Sequence, residues 1–336
     1  MANNSYGIDL GTSNIKIYNS VDNSILNERN MIAIIGREDL FAYGDSAYEM
    51  YEKAPDNIRI SHPLINGVIA EIHNMQTVLT NFINDISDGR LAGADYYVAV
   101  PTDVTEVEKR AFYDLIRDSS LRAKKVMVVE KAIADGLGMG VDVKTSQAVF
   151  VVDCGYATTE ISILSLGGIV LSRLIKLGGF KFDEDIKNVI RKEFSLCIGE
   201  KTAESIRVNL ANLVENDEDA VVYGRDIISG LPVERHIPTD LLFESMREHF
   251  ISIIDNVKMI LERTPPELAA DIFKRGIYVT GGSSQTYMFA KMLEESTKLK
   301  VNVAENPLDT VAVGLSRVIK DDKFKSVAYS IEDMSV

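Results

Sequence analysis

Residues 149–164 read V-F-V-V-D-C-G-Y-A-T-T-E-I-S-I-L, and this stretch decides the fold. The apolar run Val149 to Val152 leads into Asp153, a turn follows at Cys154 to Thr158, and Ile161 and Ile163 then alternate with Glu160 and Ser162. Such a pattern predicts strand, tight turn, strand. A turn of this kind aims a carboxylate and several backbone N–H groups at one spot, which suits a phosphate and its cation. Taken alone, the stretch is better read as an ordinary hairpin with a polar tip; a partial copy elsewhere changes that balance.

That copy lies near the N-terminus. Residues 6–18 read Y-G-I-D-L-G-T-S-N-I-K-I-Y, again with apolar residues before an Asp, then a short turn, then alternation. Ile8-Asp9-Leu10-Gly11-Thr12 lies against Val152-Asp153-Cys154-Gly155-Tyr156, and the second turn carries one extra residue. The spacing from Asp9 to Asp153 far exceeds the roughly 20 to 50 residues of a solenoid repeat, so it predicts two related lobes. Two such hairpins facing each other would clamp a polyphosphate. A third turn, Gly281-Gly282-Ser283-Ser284, follows the apolar strand pattern of 276–280, and its glycines let the backbone approach a ligand.

Between these turns the chain alternates strand and helix patterns. An apolar stripe on 71–86 (Ile72, Met75, Val78, Leu79, Phe82, Ile83, Ile86) predicts a core-facing helix. Thr105 and Glu108 form a capping box for a helix carrying Val107, Ala111, Phe112, Leu115 and Ile116 on one face. Small residues over 130–140 predict a helix packed closely between the lobes. Further helices are expected over 183–194, 200–213, 239–263 and 308–319.

Bulk properties narrow the function classes. The chain has 336 residues, with 46% hydrophobic and 26% charged, a soluble two-lobe composition. No apolar run reaches the roughly 20 residues that cross a bilayer, and residues 1–6 lack a signal-peptide pattern, so a cytoplasmic protein is expected. Its net charge of −14 opposes nucleic acid as a partner. Two cysteines, Cys154 and Cys197, read as buried small hydrophobes, and four scattered histidines form no ligand cluster.

Taken together, the three turns resemble the ATP-binding fold shared by actin, sugar kinases and heat-shock chaperones. In detail the chain is similar to the MreB family of bacterial actin-like, rod-shape-determining proteins. Gly7 to Asn14 is similar to its first phosphate loop, and Asn66-Gly67-Val68-Ile69-Ala70, Ile198-Gly199-Glu200-Lys201-Thr202-Ala203-Glu204, Gly224-Arg225-Asp226-Ile227 through Gly230-Leu231-Pro232, and Glu305-Asn306-Pro307-Leu308 also look like family segments. The likeness covers nearly the whole chain. It implies an α/β, actin-like ATPase fold of two related lobes, each built on a mixed β-sheet with flanking helices around a nucleotide cleft. Lobe I would be 1–143 plus 305–336, with a smaller insert about 31–70. Lobe II would be 144–304, with a smaller insert about 184–235.

The resemblance further implies ATP or ADP with Mg2+. Gly11, Thr12, Ser13, Asn14 and Lys16, with Gly155, Tyr156, Ala157 and Thr158, would hold the phosphates. Asp9 and Asp153 would organise magnesium, through water, and catalysis. Gly179, Glu200, Lys201 and Glu204 would border the nucleoside, and Gly281, Gly282 and Ser283 would complete its site. On the residues alone, Asp9 also reads as a carboxylate capping its own turn and Lys16 as an exposed strand residue.

Two departures bear on hydrolysis. Tyr156 and Ala157 stand in a loop that is glycine-rich in the family. Where the family has Glu-Glu-Pro, the second Glu positioning the attacking water, this chain reads Glu130-Lys131-Ala132. An ungapped reading puts Lys131 on that position and is favoured because Leu137-Gly138, Gly140 and Val143 then also match the family; a one-residue shift would restore Glu130 as the catalytic carboxylate. Slow or absent hydrolysis is therefore expected. The functions weighed are an actin-like filament protein organising cell shape and cell-wall growth, with itself and the cell-wall synthesis machinery as partners, a small-molecule kinase of the same superfamily, and a non-hydrolysing scaffold. Membrane association should be weak or indirect, at the inner face of the membrane: only five residues precede Tyr6, too few for an amphipathic helix, and residues 85–95 offer only Ile86 and Leu91 for insertion.

Overall fold

A computed structural model of the chain describes residues 4–87 and 93–332. Its frame is a pair of five-stranded sheets with the same internal plan. In the first, Ser5–Leu10 pairs antiparallel with Asn14–Asn19 and parallel with Asp95–Val100. Ile25–Arg29 and Lys125–Glu130 form the two edges. In the second, Val149–Cys154 pairs antiparallel with Thr159–Ser165 and parallel with Ile277–Thr280, with Gly168–Ile175 and Val301–Val303 at the edges. All of Val149–Cys154 is buried, as expected of a central strand covered on both faces. Each hairpin places its aspartate one residue before the strand end, and the second turn is one residue longer than the first.

Two helices lie between the sheets. Lys131–Gly138 and Thr310–Lys320 approach so closely that a Cβ on Gly138 would overlap the Thr310 carbonyl, and one on Gly314 the Ala134 carbonyl. The small residues of 130–140 thus mark a backbone-to-backbone contact. Their shared core joins Tyr97 and Val129 of the first sheet to Val149, Val151 and Leu164 of the second. Two smaller three-stranded sheets stand apart: Ile32–Ile35, Asp39–Tyr43 and Ile58–Ser61, and Leu196–Cys197, Ala220–Asp226 and Pro232–Ile237.

The Thr105–Glu108 capping box forms as its spacing predicts. Two stripe residues do not reach the core: Ile72 is 42% exposed and Val107 80% exposed. Both lie in the first turn of their helices, before the apolar face meets a sheet. The helix expected over 183–194 begins at Gly179, because the amides of Gly179 and Phe180 donate to the Gly155 and Tyr156 carbonyls and dock its start on the second turn. After Gly281 comes a 3-10 turn, Gly282–Gln285, and the helix proper waits until Phe289. Cys154 is buried, whereas Cys197 is exposed on the short strand of a small sheet.

Candidate functional site

The two aspartate-bearing turns face each other across a cavity of about 390 Å3. From the first sheet it is lined by Asp9, Gly11, Thr12, Ser13, Asn14 and Lys16, and from the second by Asp153, Gly155, Tyr156, Ala157 and Thr158. Gly281, Gly282, Ser283 and Glu204 close another side. Gly11 is required by space: its amide donates to the Asn14 carbonyl at 3.1 Å, and a Cβ would come within 2.5 Å of that oxygen. At Gly281, where φ is +85°, a Cβ would overlap Asp153 Oδ1, so this glycine lets the third turn touch the second.

Three residues expected around the nucleoside lie outside this lining. Glu200 and Lys201 sit at the mouth, in a small crevice with Tyr48, Tyr51 and His62. Gly179 is buried behind the wall, where a Cβ would overlap Ser283 Oγ.

Glu130 is the clear correction. It lies in a different crevice, paired with Lys109 Nζ at 2.9 Å and accepting from the Tyr329 hydroxyl at 2.9 Å. The next residue, Lys131, lines the cleft instead, with its Nζ 2.5 Å from Asp153 Oδ2. Glu130 ends a strand and Lys131 starts a helix, and neighbouring residues on an extended chain point to opposite sides. A one-residue shift therefore exchanges cleft for back face, and the ungapped register fits the geometry.

The cleft floor is dense in charge. Asp9 and Asp153 are each 4% exposed. Lys16 Nζ lies 3.3 Å from Asp9 Oδ2 and is itself largely buried, so the exposed-strand reading of Lys16 does not hold. Burial alone would lower the Lys131 pKa, but Asp153 and Asp9, with Asp135 and Glu160 beyond, hold the ammonium well above its ordinary value. Asp135 was not singled out from the sequence. It lies one turn after Lys131 on the same helix and lines the cavity, with neither carboxylate oxygen hydrogen-bonded. Burial, then Asp153, pushes its carboxyl well above the usual range. Glu160, buried and accepting from the Thr102 amide at 3.2 Å, is pushed up to about 7 chiefly by burial.

Arg29 was also missed, having no motif around it. It makes a two-pronged contact with Glu204 at 2.9 and 3.1 Å, and Tyr48 donates to the same carboxylate at 2.8 Å. Burial would raise Glu204, but these partners bring its carboxyl below the ordinary value. Tyr51 donates to Glu200 and Lys201 to the Glu49 carbonyl, so segment 29–52 is clasped to the helix Glu200–Glu215 across the mouth. Behind it, Arg207 pairs with Asp183 at 2.7 Å, and burial nonetheless lifts Asp183 to about 6. Tyr156 packs edge-on to Phe180, ring centroids 5.9 Å apart, and borders both the cavity and the mouth crevice.

A directly held divalent metal does not fit this donor set. Each expected carboxylate, Asp9 and Asp153, already has an ammonium against its Oδ2. Among the described residues no three His, Cys, Asp or Glu side chains converge on a point that could hold a metal ion. The cavity, with its two turns, hydroxyls and two lysines, suits a polyanion entering from the mouth.

Two matching mixed sheets around such a cleft define an actin-like protein. The solved structure described as the MamK double helical filament shares this fold with a TM-score of 0.78 at 20% identity, covering 95% of this chain and 99% of that one. The chain belongs to the MreB/Mbl family, whose profile matches residues 3–326. It is 37% identical over 312 residues to the cell shape-determining protein Mbl of Bacillus subtilis (strain 168), covering 92% of this chain and 93% of that one. It is 34% identical over 331 residues to the cell shape-determining protein MreB of Escherichia coli (strain K12), covering 95% and 94%. The crystal structure of MreB 5 of Spiroplasma citri bound to AMPPNP superposes with a TM-score of 0.90 at 33% identity, covering 97% and 98%.

Proposed function

We propose that this chain is a nucleotide-binding, actin-like cytoskeletal protein that assembles head-to-tail into filaments and helps organise cell shape and cell-wall growth. The observation that carries this reading is the cavity between two matching strand–turn–strand units, each with a buried aspartate. The cell shape-determining relatives, the AMPPNP held by the Spiroplasma citri protein and the MamK filament support it.

ATP and ADP are the ligands of this reading. Gly11 to Asn14, Lys16 and Gly155 to Thr158 hold the phosphates, Gly281 to Ser283 and Glu204 border the nucleoside, Glu200 and Lys201 guard the mouth, and Gly179 supports the wall. The expected magnesium would be held chiefly by the phosphates and water, because Asp9 and Asp153 each have an ammonium against Oδ2. The proposed lobes are 1–143 plus 305–336 and 144–304, a division the two sheets support; one small sheet falls within the insert about 31–70, and the other overlaps the insert about 184–235, its last strand, Pro232–Ile237, running just past it.

Hydrolysis is slow in this reading, because Glu130 faces away and Lys131 occupies the cleft. Loss of a positioned catalytic group costs about 10²- to 10³-fold in rate. That geometry also favours a non-hydrolysing filament scaffold over a kinase. The proposed location is cytoplasmic, with weak or indirect contact at the inner face of the membrane and with the cell-wall synthesis machinery. None of the described helices is long and apolar enough to cross a membrane. Of the two apolar residues expected in the membrane loop, Ile86 is half-buried and Leu91 lies outside the described residues. Tight liposome binding by the monomer would contradict weak contact.

Sedimentation and electron microscopy with and without ATP test assembly. Nucleotide-dependent filaments with a low steady-state ATPase rate are expected. Persistent monomers across salt and nucleotide conditions would overturn the filament reading, and a turnover rate matching active family members would overturn slow hydrolysis.

A further inference from the structure

We propose that the Lys131 ammonium is a built-in counter-cation for the bound polyphosphate, so that the cleft takes up a nucleoside di- or triphosphate without a divalent metal. The inference rests on the nucleotide-binding reading of this cleft and concerns what neutralises the ligand there.

A polyphosphate entering a low-dielectric cleft needs positive charge beside it, and a divalent ion is the usual carrier because it needs only water and phosphate oxygens around it. In this chain the two carboxylates that would orient such an ion are each occupied. Lys131 Nζ sits 2.5 Å from Asp153 Oδ2, and Lys16 Nζ sits 3.3 Å from Asp9 Oδ2. A doubly charged ion at the same spot would face two ammonium groups at short range, and in a buried site that repulsion is poorly screened.

Both lysines line the cavity. Lys131 is placed by the first turn of the helix wedged between the two sheets, so its tether is rigid. Asp135, one turn later on the same helix with both oxygens buried and not hydrogen-bonded, adds a further negative charge that favours the ammonium form. A phosphate oxygen can take the place of Asp153 Oδ2 by a small movement of the lysine head, keeping one charge-assisted contact for another. The metal's job of neutralising and orienting the phosphates then falls to a side chain. This arrangement also accounts for the cation standing where the family carries a water-positioning carboxylate: the cleft is built to hold nucleotide rather than to turn it over.

The test is equilibrium binding of ATP and ADP to the full chain in excess Mg2+ and in excess EDTA, for wild type, Lys131→Ala and Lys131→Arg. Wild-type Kd in EDTA should stay within about threefold of its Mg2+ value, while Lys131→Ala should lose about tenfold or more in EDTA and recover when Mg2+ is added. Lys131→Arg, which keeps the charge, should behave as wild type. A wild-type affinity that falls about tenfold or more on chelation overturns the inference and leaves the nucleotide site standing. No binding in either buffer overturns the nucleotide site and the inference with it. Should Lys131→Ala not fold, the wild-type comparison alone decides.

Discussion

The two hairpins of the cleft share a plan and differ in the residue that stands opposite the aspartate. In the first, Asp9 stands opposite Lys16; in the second, Asp153 stands opposite Glu160 in the same register. The first turn therefore carries its own cation on the return strand. In the second, that position holds an acid, and the cation is imported from a helix as Lys131. The first hairpin supplies its own counter-charge, whereas the second takes its cation from the central helix and is touched by the third turn. The repeat preserves the carboxylate but not the means of balancing it, and the second half of the cleft becomes a junction of four elements.

The sharpest way to break that junction is Gly281→Ala. The substitution combines a positive φ with a Cβ that would overlap Asp153 Oδ1 and the Cys154 carbonyl, so a loss of about 3 kcal/mol or more in denaturant unfolding is expected, together with loss of nucleotide binding. A wild-type midpoint would show that the third turn does not brace the second.

Glu160 gives the next effect. Its folded-state pKa is raised to about 7 from an ordinary 4.5, so below pH 4.5 the folded and unfolded carboxyls are both protonated. Between there and about pH 7 the folded state holds the extra proton, and stability falls as pH rises. The loss should be on the order of 2–3 kcal/mol, and Glu160→Gln should flatten this part of the stability–pH profile. An unchanged profile in Glu160→Gln would mean that the acid in the second hairpin is not strained by burial.

The smallest effect compares the turns themselves. A Cβ at Gly11 would come within 2.5 Å of the Asn14 carbonyl, but one at Gly155 only within 3.0 Å of the Thr158 carbonyl, because the second turn is a residue longer. Gly11→Ala should cost about 1–2 kcal/mol and Gly155→Ala less than about 1 kcal/mol. Equal costs would remove the distinction between the two loops.

Much of this was legible in the sequence because it depends on local pattern. Alternation around Asp9 and Asp153 gives both hairpins, and Thr105 and Glu108 give their capping box. The small residues from Lys131 to Gly138 mark the helix that packs between the sheets. What was not legible depends on which distant groups meet. Arg29 and Glu204 are 175 residues apart and neither sits in a phosphate-loop motif, so their clasp has no local signature. Asp135 did leave a trace, as an acid one helical turn from Lys131 among small residues, but only the burial of both its oxygens gives that spacing meaning. Glu130 was open to misreading because a one-residue register change preserves composition while reversing the face.

The most direct measurement of the central claim is thermal unfolding of the full chain with ATP, with ADP and without nucleotide. Ligand at about 100 times its Kd should add roughly 2.7 kcal/mol of apparent stability and raise the midpoint by about 2–4 °C or more. That shift should be lost in Gly281→Ala variants that still fold. An unchanged midpoint at saturating concentrations of both nucleotides would contradict a nucleotide site between the two turns.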